Sequence, residues 1–395
     1  MRLAVSGRSS EFSDLAFLSS SADESTYLDT SRSMGALRVV CVAKRWQHHT
    51  ASGGYDQLAR VVGAEVVQRH LRRDIPHRIK CKLWEQFAHP KPYLLDYRYE
   101  DWLAERAVLR SSQHSSPDIV HVLYGDEQLD LLLRRRRQLS CPLIATFHLP
   151  TYKVRQRFEE TQKHLVSGID LAVVVGTDQL PAFRNWLGSE RVIYIPHGID
   201  TDRFCPAEPT ARREGVRLIT VGHHMRDWKA LDKIIYQCYV QKLAVQFDVV
   251  ALEHGLSSSA SLPNVHFYSQ IPEEQLIQLY READALLLPM SYATANNAAL
   301  EALACGTPVI STMVGGIPDY VDDTCGWLFE KGEVARIVDL IGGICNEQKI
   351  ASSRRGAARA KALVFSWKRV AEKMRTVYEA VAHHYSPVAV GAAWE

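Results

Sequence analysis

Between Ser291 and Val321 the chain reads SYATANNAALEALACGTPVISTMVGGIPDYV. An apolar run, Ala285 to Leu288, ends at Pro289 just before it. Such a run, closed by a proline, has the length of a strand, and the small-residue loop after it opens a helix near Asn296 that carries Glu301. Small side chains at a helix N-terminus expose backbone N–H groups that suit a diphosphate. Glu301 lies little more than a turn into that helix, where a carboxylate can accept hydrogen bonds from both hydroxyls of a ribose. On spacing alone, a buried helix with an incidental glutamate fits equally well. Gly306, Pro308 and the next strand then bring Gly315-Gly316 to a second close backbone approach.

Outward from this segment, short apolar strands alternate with amphipathic helices, the pattern of a parallel sheet covered on both faces. In the first half the expected strands are Leu37 to Ala43, Asp118 to Tyr124, Pro142 to Phe147, Asp170 to Val175 and Val192 to Ile195. A helix follows Gly53-Gly54-Tyr55, with Leu58, Val61, Val62 and Val66 on one side. The basic and aromatic stretch 68–112 has no clear period. After Pro206, Pro209 and Arg212-Arg213-Glu214 the pattern restarts with Val216 to Val221. It continues through Phe247 to Leu252, Val265 to Tyr268, Ala283 to Leu288 and Pro308 to Ser311. Two successive βα series predict an α/β fold of two facing, doubly wound Rossmann-like domains, whose strand ends meet at a crevice. The expected division is a disordered extension over 1–36, a first domain over 37–205, a second over 206–365, and a C-terminal helix and tail over 366–395; the resemblance described below implies that the first serves the acceptor and the second the donor. That last helix shows one buried stripe: Val370, Met374, Val377, Tyr378 and Val381.

Composition narrows the class. With 46% hydrophobic and 23% charged residues in 395, the chain has enough apolar material for two cores. A net charge of +2 gives no case for nucleic acid. The eight cysteines form no C-x-x-C pair, so neither a zinc nor a redox motif is indicated, and single thiols in apolar runs (Cys41, Cys305) read as buried. These features point to a reducing, cytoplasmic setting. The serine- and acid-rich first 33 residues lack the apolar core of a secretory signal, and Met34 is an alternative start just ahead of the first strand. From Arg38 to Asp200 there are 24 Lys and Arg against 18 Asp and Glu. That basic excess, concentrated in 69–82 and Arg134 to Arg137, suits peripheral contact with the anionic inner face of a membrane. A solvated helix face explains the arginine run as well.

Several segments resemble one family. Glu-Ala-Leu-Ala-Cys-Gly-Thr-Pro-Val-Ile from Glu301, followed by Val314-Gly315-Gly316-Ile317, is similar to the donor-site signature of the retaining GT-B glycosyltransferases of family 4. Ile195 to Phe204 (IPHGIDTDRF) resembles that family's interdomain segment, and Gly53-Gly54 and Phe365-Ser366-Trp367 also look like it. The resemblance implies retaining transfer from a nucleotide-sugar donor to a saccharide or lipid-linked acceptor. It implies no cofactor and no metal, with arginine and lysine meeting the diphosphate. It makes Glu301 the ribose carboxylate and places Gly53, Gly54, Gly222, His223, Thr294, Ala295, Asn296 and Asn297 along the donor. Candidate catalytic residues are His148, at the end of a strand, together with Arg226 and Lys229. His223, His224, His48 and His49 are weaker candidates.

Two departures stand out. The family usually has a second glutamate eight residues before Glu301, and here that position is Ala293. An arginine usually follows the glycine at 222 directly, and here it is displaced to 226 behind His223. Asp200-Thr201-Asp202 reads as structural, not as a metal-binding Asp-x-Asp. Competing readings are a nucleotide-sugar epimerase or a phosphorylase on the same architecture, and a catalytically silent binding protein. No G-x-G-x-x-G follows either first strand, which disfavours a dehydrogenase.

Overall fold

A computed structural model describes residues 37–44, 53–68, 75–87, 97–158, 168–207 and 215–384. The 1–36 extension, His48, His49, most of the 206–214 linker, residues 69–74 and the tail after His384 lie outside the described residues.

Twelve strands form two all-parallel sheets. The first runs β2-β1-β3-β4-β5-β6, from β1 (Val39–Ala43), β2 (Glu65–Gln68), β3 (Ile119–Val122), β4 (Leu143–Phe147), β5 (Leu171–Val174) and β6 (Val192–Tyr194). The second runs β12-β11-β10-β7-β8-β9, from β7 (Val216–Val221), β8 (Val245–Val250), β9 (Val265–Tyr268), β10 (Ala285–Leu288), β11 (Val309–Thr312) and β12 (Gly326–Phe329). β1, β3, β4, β5, β10 and β11 are buried along their whole length, as continuous apolar runs in parallel sheets should be. The order β9-β8-β7-β10-β11-β12 reverses direction between β7 and β10, so the ligand crevice of the second sheet opens outside the carboxyl ends of those two strands.

Most sequence-predicted strands agree with the structure to within a residue or two, and three points differ. The helix after Gly53-Gly54 is short, Gln57–Val62, because Gly63 adopts a left-handed φ of 78° and turns the chain into β2. Val66 therefore lies on a strand and not on that helix. The stretch without a clear period contains two helices, Ile75–Phe87 and Tyr99–His114. Strand β12 pairs with β11 through Gly326 and Trp327, in a segment whose turn-rich flanks hide a strand of only four residues.

The two motifs that bracket the second half meet in space. Ile199 donates its N–H to Phe365 O (2.9 Å) and accepts from the N–H of Trp367 (3.1 Å), so the two chain crossings between the sheets lie side by side. Asp200 Oδ1 accepts the N–H groups of Asp202 and Arg203 at 3.1 and 3.0 Å and so closes the turn after the first crossing. Arg359 fastens the same turn, donating to Phe204 O, Thr201 O and Ala304 O. Beyond Trp367 the helix Trp367–His384 buries Val370, Met374, Val377, Tyr378 and Val381 in the core of the first sheet. Each such side chain contributes about 1.5–3 kcal/mol of burial.

Gly198 explains why a glycine stands in the crossing. A Cβ there would lie 2.2 Å from the Trp367 ring. Gly198→Ala should lower stability by about 1–3 kcal/mol through overpacking. Gly356, with nothing within 4 Å of an added Cβ, is the control. Gly356→Ala should be neutral or stabilising by up to about 1 kcal/mol. Urea melts of the two variants check the pair.

Candidate donor site

The two loops that flank the reversal between β7 and β10 are stitched together. Asp227 N–H donates to Pro289 O (2.9 Å), and Ser291 donates both its N–H (3.0 Å) and its hydroxyl (2.9 Å) to Met225 O. Gly222 begins the first loop with φ 81°, and a Cβ there would sit 2.9 Å from Arg226 Nη2. The left-handed backbone favours glycine there, and the Arg226 tip packs into the space a side chain would take. Arg226 is folded into its own loop. Its guanidinium donates to Val221 O, to His224 O (3.1 Å) and to Met290 Sδ (3.0 Å). Burial lowers its pKa to about 10, against the pull of Tyr280 and Glu301 nearby.

Asn296 caps the helix Asn297–Ala304 by accepting the N–H of Ala299 at 3.1 Å. Among the described residues, no hydrogen bond takes the N–H of Asn297 or Ala298. These are the orphan donors that a helix start offers to an anion. Glu301 stands inside this helix, only 8% exposed. Its Oε2 accepts the hydroxyl of Tyr280 at 2.9 Å. Burial raises the Glu301 pKa to about 7, opposed by the Tyr280 hydrogen bond and by Arg226, and reinforced by Glu273. Tyr280 comes from the helix Glu273–Glu282 and is itself fully buried. Sequence reasoning missed it, because a lone tyrosine on an amphipathic helix carries no local mark of a polar partner.

The first lobe brings its own group to the same place. His148 follows β4; its N–H donates to Asp126 Oδ2 (2.5 Å) and its Nε2 to Leu123 O (2.8 Å). A carbonyl only accepts, so Nε2 carries a hydrogen. Tyr55, next to Gly54 (φ 100°), packs edge-on to the His148 ring at 4.6 Å and also against His197 and Trp367. Tyr124 accepts the N–H of Tyr55 at 2.9 Å and lies 5.0 Å from His148. Neither tyrosine nor His197 stood out in the sequence.

Across the seam, Thr294 donates its hydroxyl to His148 O (2.5 Å). Thr177 gives its N–H and its hydroxyl to Asp319, both at 2.7 Å, and Tyr292 gives its hydroxyl to Asp178. Tyr320 accepts the N–H of His197 and donates to Val175 O. Ala295 touches the cores of both lobes. The Gly315-Gly316 approach expected from sequence is made to this seam: added Cβ atoms would lie 2.0 Å from Ala293 O and from Thr294 O.

The structure thus brings together Gly54, His148, Gly222, Arg226, Thr294, Ala295, Asn296 and Glu301. Asn297 is exposed at the first helical position, His223 is exposed in the loop, and Lys229 is exposed on the helix Trp228–Val240. The Asn296 side chain is committed to its cap. Gly53 precedes the short helix of the first lobe.

Comparison with known proteins follows the same division. Residues 56–203 match Glycosyltransferase Family 4, and residues 252–361 match Glycosyl transferases group 1, together about two thirds of the chain. The chain is 28% identical over 324 residues to a D-inositol 3-phosphate glycosyltransferase of Geodermatophilus obscurus, covering 70% of each. In fold it resembles sucrose-phosphate synthase from Thermosynechococcus elongatus, with a TM-score of 0.64 and 18% identity, covering 87% of this chain and 98% of that one. It also resembles HepE of Anabaena, solved in complex with UDP-glucose, with a TM-score of 0.61 and 14% identity, covering 87% of this chain and 100% of that one. Two six-stranded parallel sheets facing one seam, matched lobe by lobe, place the chain in the family 4, group 1 glycosyltransferases of GT-B fold.

Proposed function

We propose that this glycosyltransferase is a retaining, metal-independent enzyme that moves a sugar from a nucleotide-diphosphate donor to a saccharide or lipid-linked acceptor. Residues 37–205 would serve the acceptor and 206–365 the donor. The observation that carries the reading is the buried Glu301 carboxylate at the reversal between β7 and β10, one turn from unspent backbone N–H groups. A ribose hydroxyl pair meets the carboxylate, and the diphosphate meets the amides of Asn297 and Ala298. HepE, which was solved with UDP-glucose, shares this fold and supports a sugar-nucleotide ligand.

In this reading, leaving-group charge is the main barrier, and fixed donors in a dry crevice lower it without reorganisation. Arg226 turns from its loop carbonyls to the departing phosphate, and Lys229 adds a second cation from the helix start. The leaving phosphate takes the acceptor proton on the face it departs from. His148, fixed through Asp126 and Leu123, supports the sugar from the opposite lobe. Asp200 Oδ1 is occupied in closing its own turn, which fits its reading as structural, and Arg226 and Lys229 would supply the positive charge in place of a metal ion.

The helix Ile75–Phe87 supports contact with a membrane. Ile79 and Leu83, four residues apart, are about half exposed, and Lys80 and Lys82 beside them are exposed too. Trp84 packs into the core, which fixes the outward face. No helix among the described residues is long and apolar enough to cross a membrane. The arrangement suits the headgroup region of an anionic leaflet and a lipid-linked acceptor held there.

Purified protein incubated with UDP-, GDP- and ADP-sugars and candidate acceptors should release nucleotide, and EDTA should leave the rate unchanged. Glu301→Ala should cut kcat/KM about 10- to 100-fold, the loss expected for hydrogen bonds to a charged group. Unchanged kinetics in a folded variant would discredit the site, and loss of activity with EDTA would refute metal independence. Binding to phosphatidylserine vesicles should weaken with salt, and Lys80→Glu/Lys82→Glu should weaken it at least about tenfold at low salt. Salt-insensitive binding, or none, would remove the membrane contact.

A further inference from the structure

Glu301 uses its two oxygens differently. Oε2 takes the Tyr280 hydroxyl. Oε1 makes no hydrogen bond among the described residues, and it is not among the sealed, unpartnered atoms of the interior, so it keeps contact with solvent. Tyr280 is held from behind as well: its carbonyl accepts the Thr307 hydroxyl at 2.6 Å, and its ring is wholly enclosed. Thr307 follows the same helix as Glu301, so tyrosine and carboxylate are fixed to one rigid block.

We propose that Tyr280 is a positioning residue for donor capture: its hydroxyl fixes the Glu301 carboxylate so that Oε1 faces the ribose of the nucleotide. This rests on the reading of Glu301 as the ribose carboxylate and assigns a second residue to that step. A carboxylate with no tether has a second rotamer that turns both oxygens away. The hydroxyl removes that freedom and favours the ionised form, which is the form able to accept from two ribose hydroxyls. The other groups facing Glu301 are few. Glu273 opposes ionisation from the Tyr280 helix, Arg226 favours it from the loop after β7, and the Cys305 thiol lies one turn on. Arg359, on the helix packed against Glu301, is committed to carbonyls.

The test measures Kd against pH for UDP, GDP and ADP, taking whichever binds tightest, on wild type, Glu301→Gln and Tyr280→Phe. Ionisation of the nucleotide itself is common to all three proteins. Wild-type affinity should strengthen as pH rises through about 7. Glu301→Gln should bind weakly with that dependence gone. Tyr280→Phe should weaken binding at least about tenfold at pH 7, the loss of one hydrogen bond to a charged group, and move the midpoint upward. In turnover it should raise KM for the donor more than it lowers kcat. Thr307→Val is the packing control, lowering the melting temperature without moving the midpoint. Should Tyr280→Phe not fold, 3-fluorotyrosine at 280, a stronger donor, should move the midpoint down. A Tyr280→Phe curve superimposed on wild type, with Glu301→Gln still impaired, would overturn the role of Tyr280 and leave the site standing. A Glu301→Gln curve superimposed on wild type would instead sink the ribose reading itself.

Discussion

A carboxylate kept out of water governs the second lobe. Ionising Glu301 in its buried position is costly, and its pKa near 7 instead of the usual carboxylate range records that cost. In the folded chain Glu301 retains a proton between about pH 4.5 and 7 that the unfolded chain has lost. Its contribution to folding therefore becomes less favourable as pH rises through that window. Glutamine in its place would fold more comfortably at alkaline pH, a cost in stability that the proposed ribose contact would explain. Tyr280 and Arg226 are arranged to make that position tolerable, one by a hydrogen bond and the other by charge.

The seam between lobes rests on backbone more than on side-chain bulk. Gly315 and Gly316 let the 293–294 loop lie against the strand end of β11, and Gly176 approaches from the opposite lobe. Any side chain at these positions would separate the surfaces. Ala293 belongs to the same constraint: its carbonyl accepts the N–H of Gly316 at 2.9 Å, and its side chain is buried. The hydrogen bonds across the seam join loops and short helical turns beyond the strand ends, apart from the paired crossings at Ile199 and Phe365.

Much of this was legible in sequence because parallel strands announce themselves as apolar runs between turns. The segment from Ala285 to Glu301 shows it: strand, loop, cap and helix follow from proline, small residues and Asn296. The parts that were not legible depend on distant partners. Tyr280 and Glu301 are 21 residues apart, and His197 packs against Tyr55 and Trp367 from remote stretches. The pairing of IPHGID with the Phe365-Ser366-Trp367 segment was visible only as two separate motifs, although Gly198 is explained entirely by the Trp367 ring. The displaced Arg226 was read from sequence as a phosphate ligand. In the fold its guanidinium closes the loop that begins at Gly222, a resting place that spacing along the chain does not reveal.

On the proposed function, the reversal between β7 and β10 holds a nucleotide by its ribose and diphosphate. A crystal structure of the protein with its tightest-binding nucleoside diphosphate tests it most directly. Ribose oxygens should lie within about 2.6–3.2 Å of the Glu301 carboxylate and phosphate oxygens at the N–H groups of Asn297 and Ala298. A nucleotide seated elsewhere, with Glu301 still paired only to Tyr280, would contradict it.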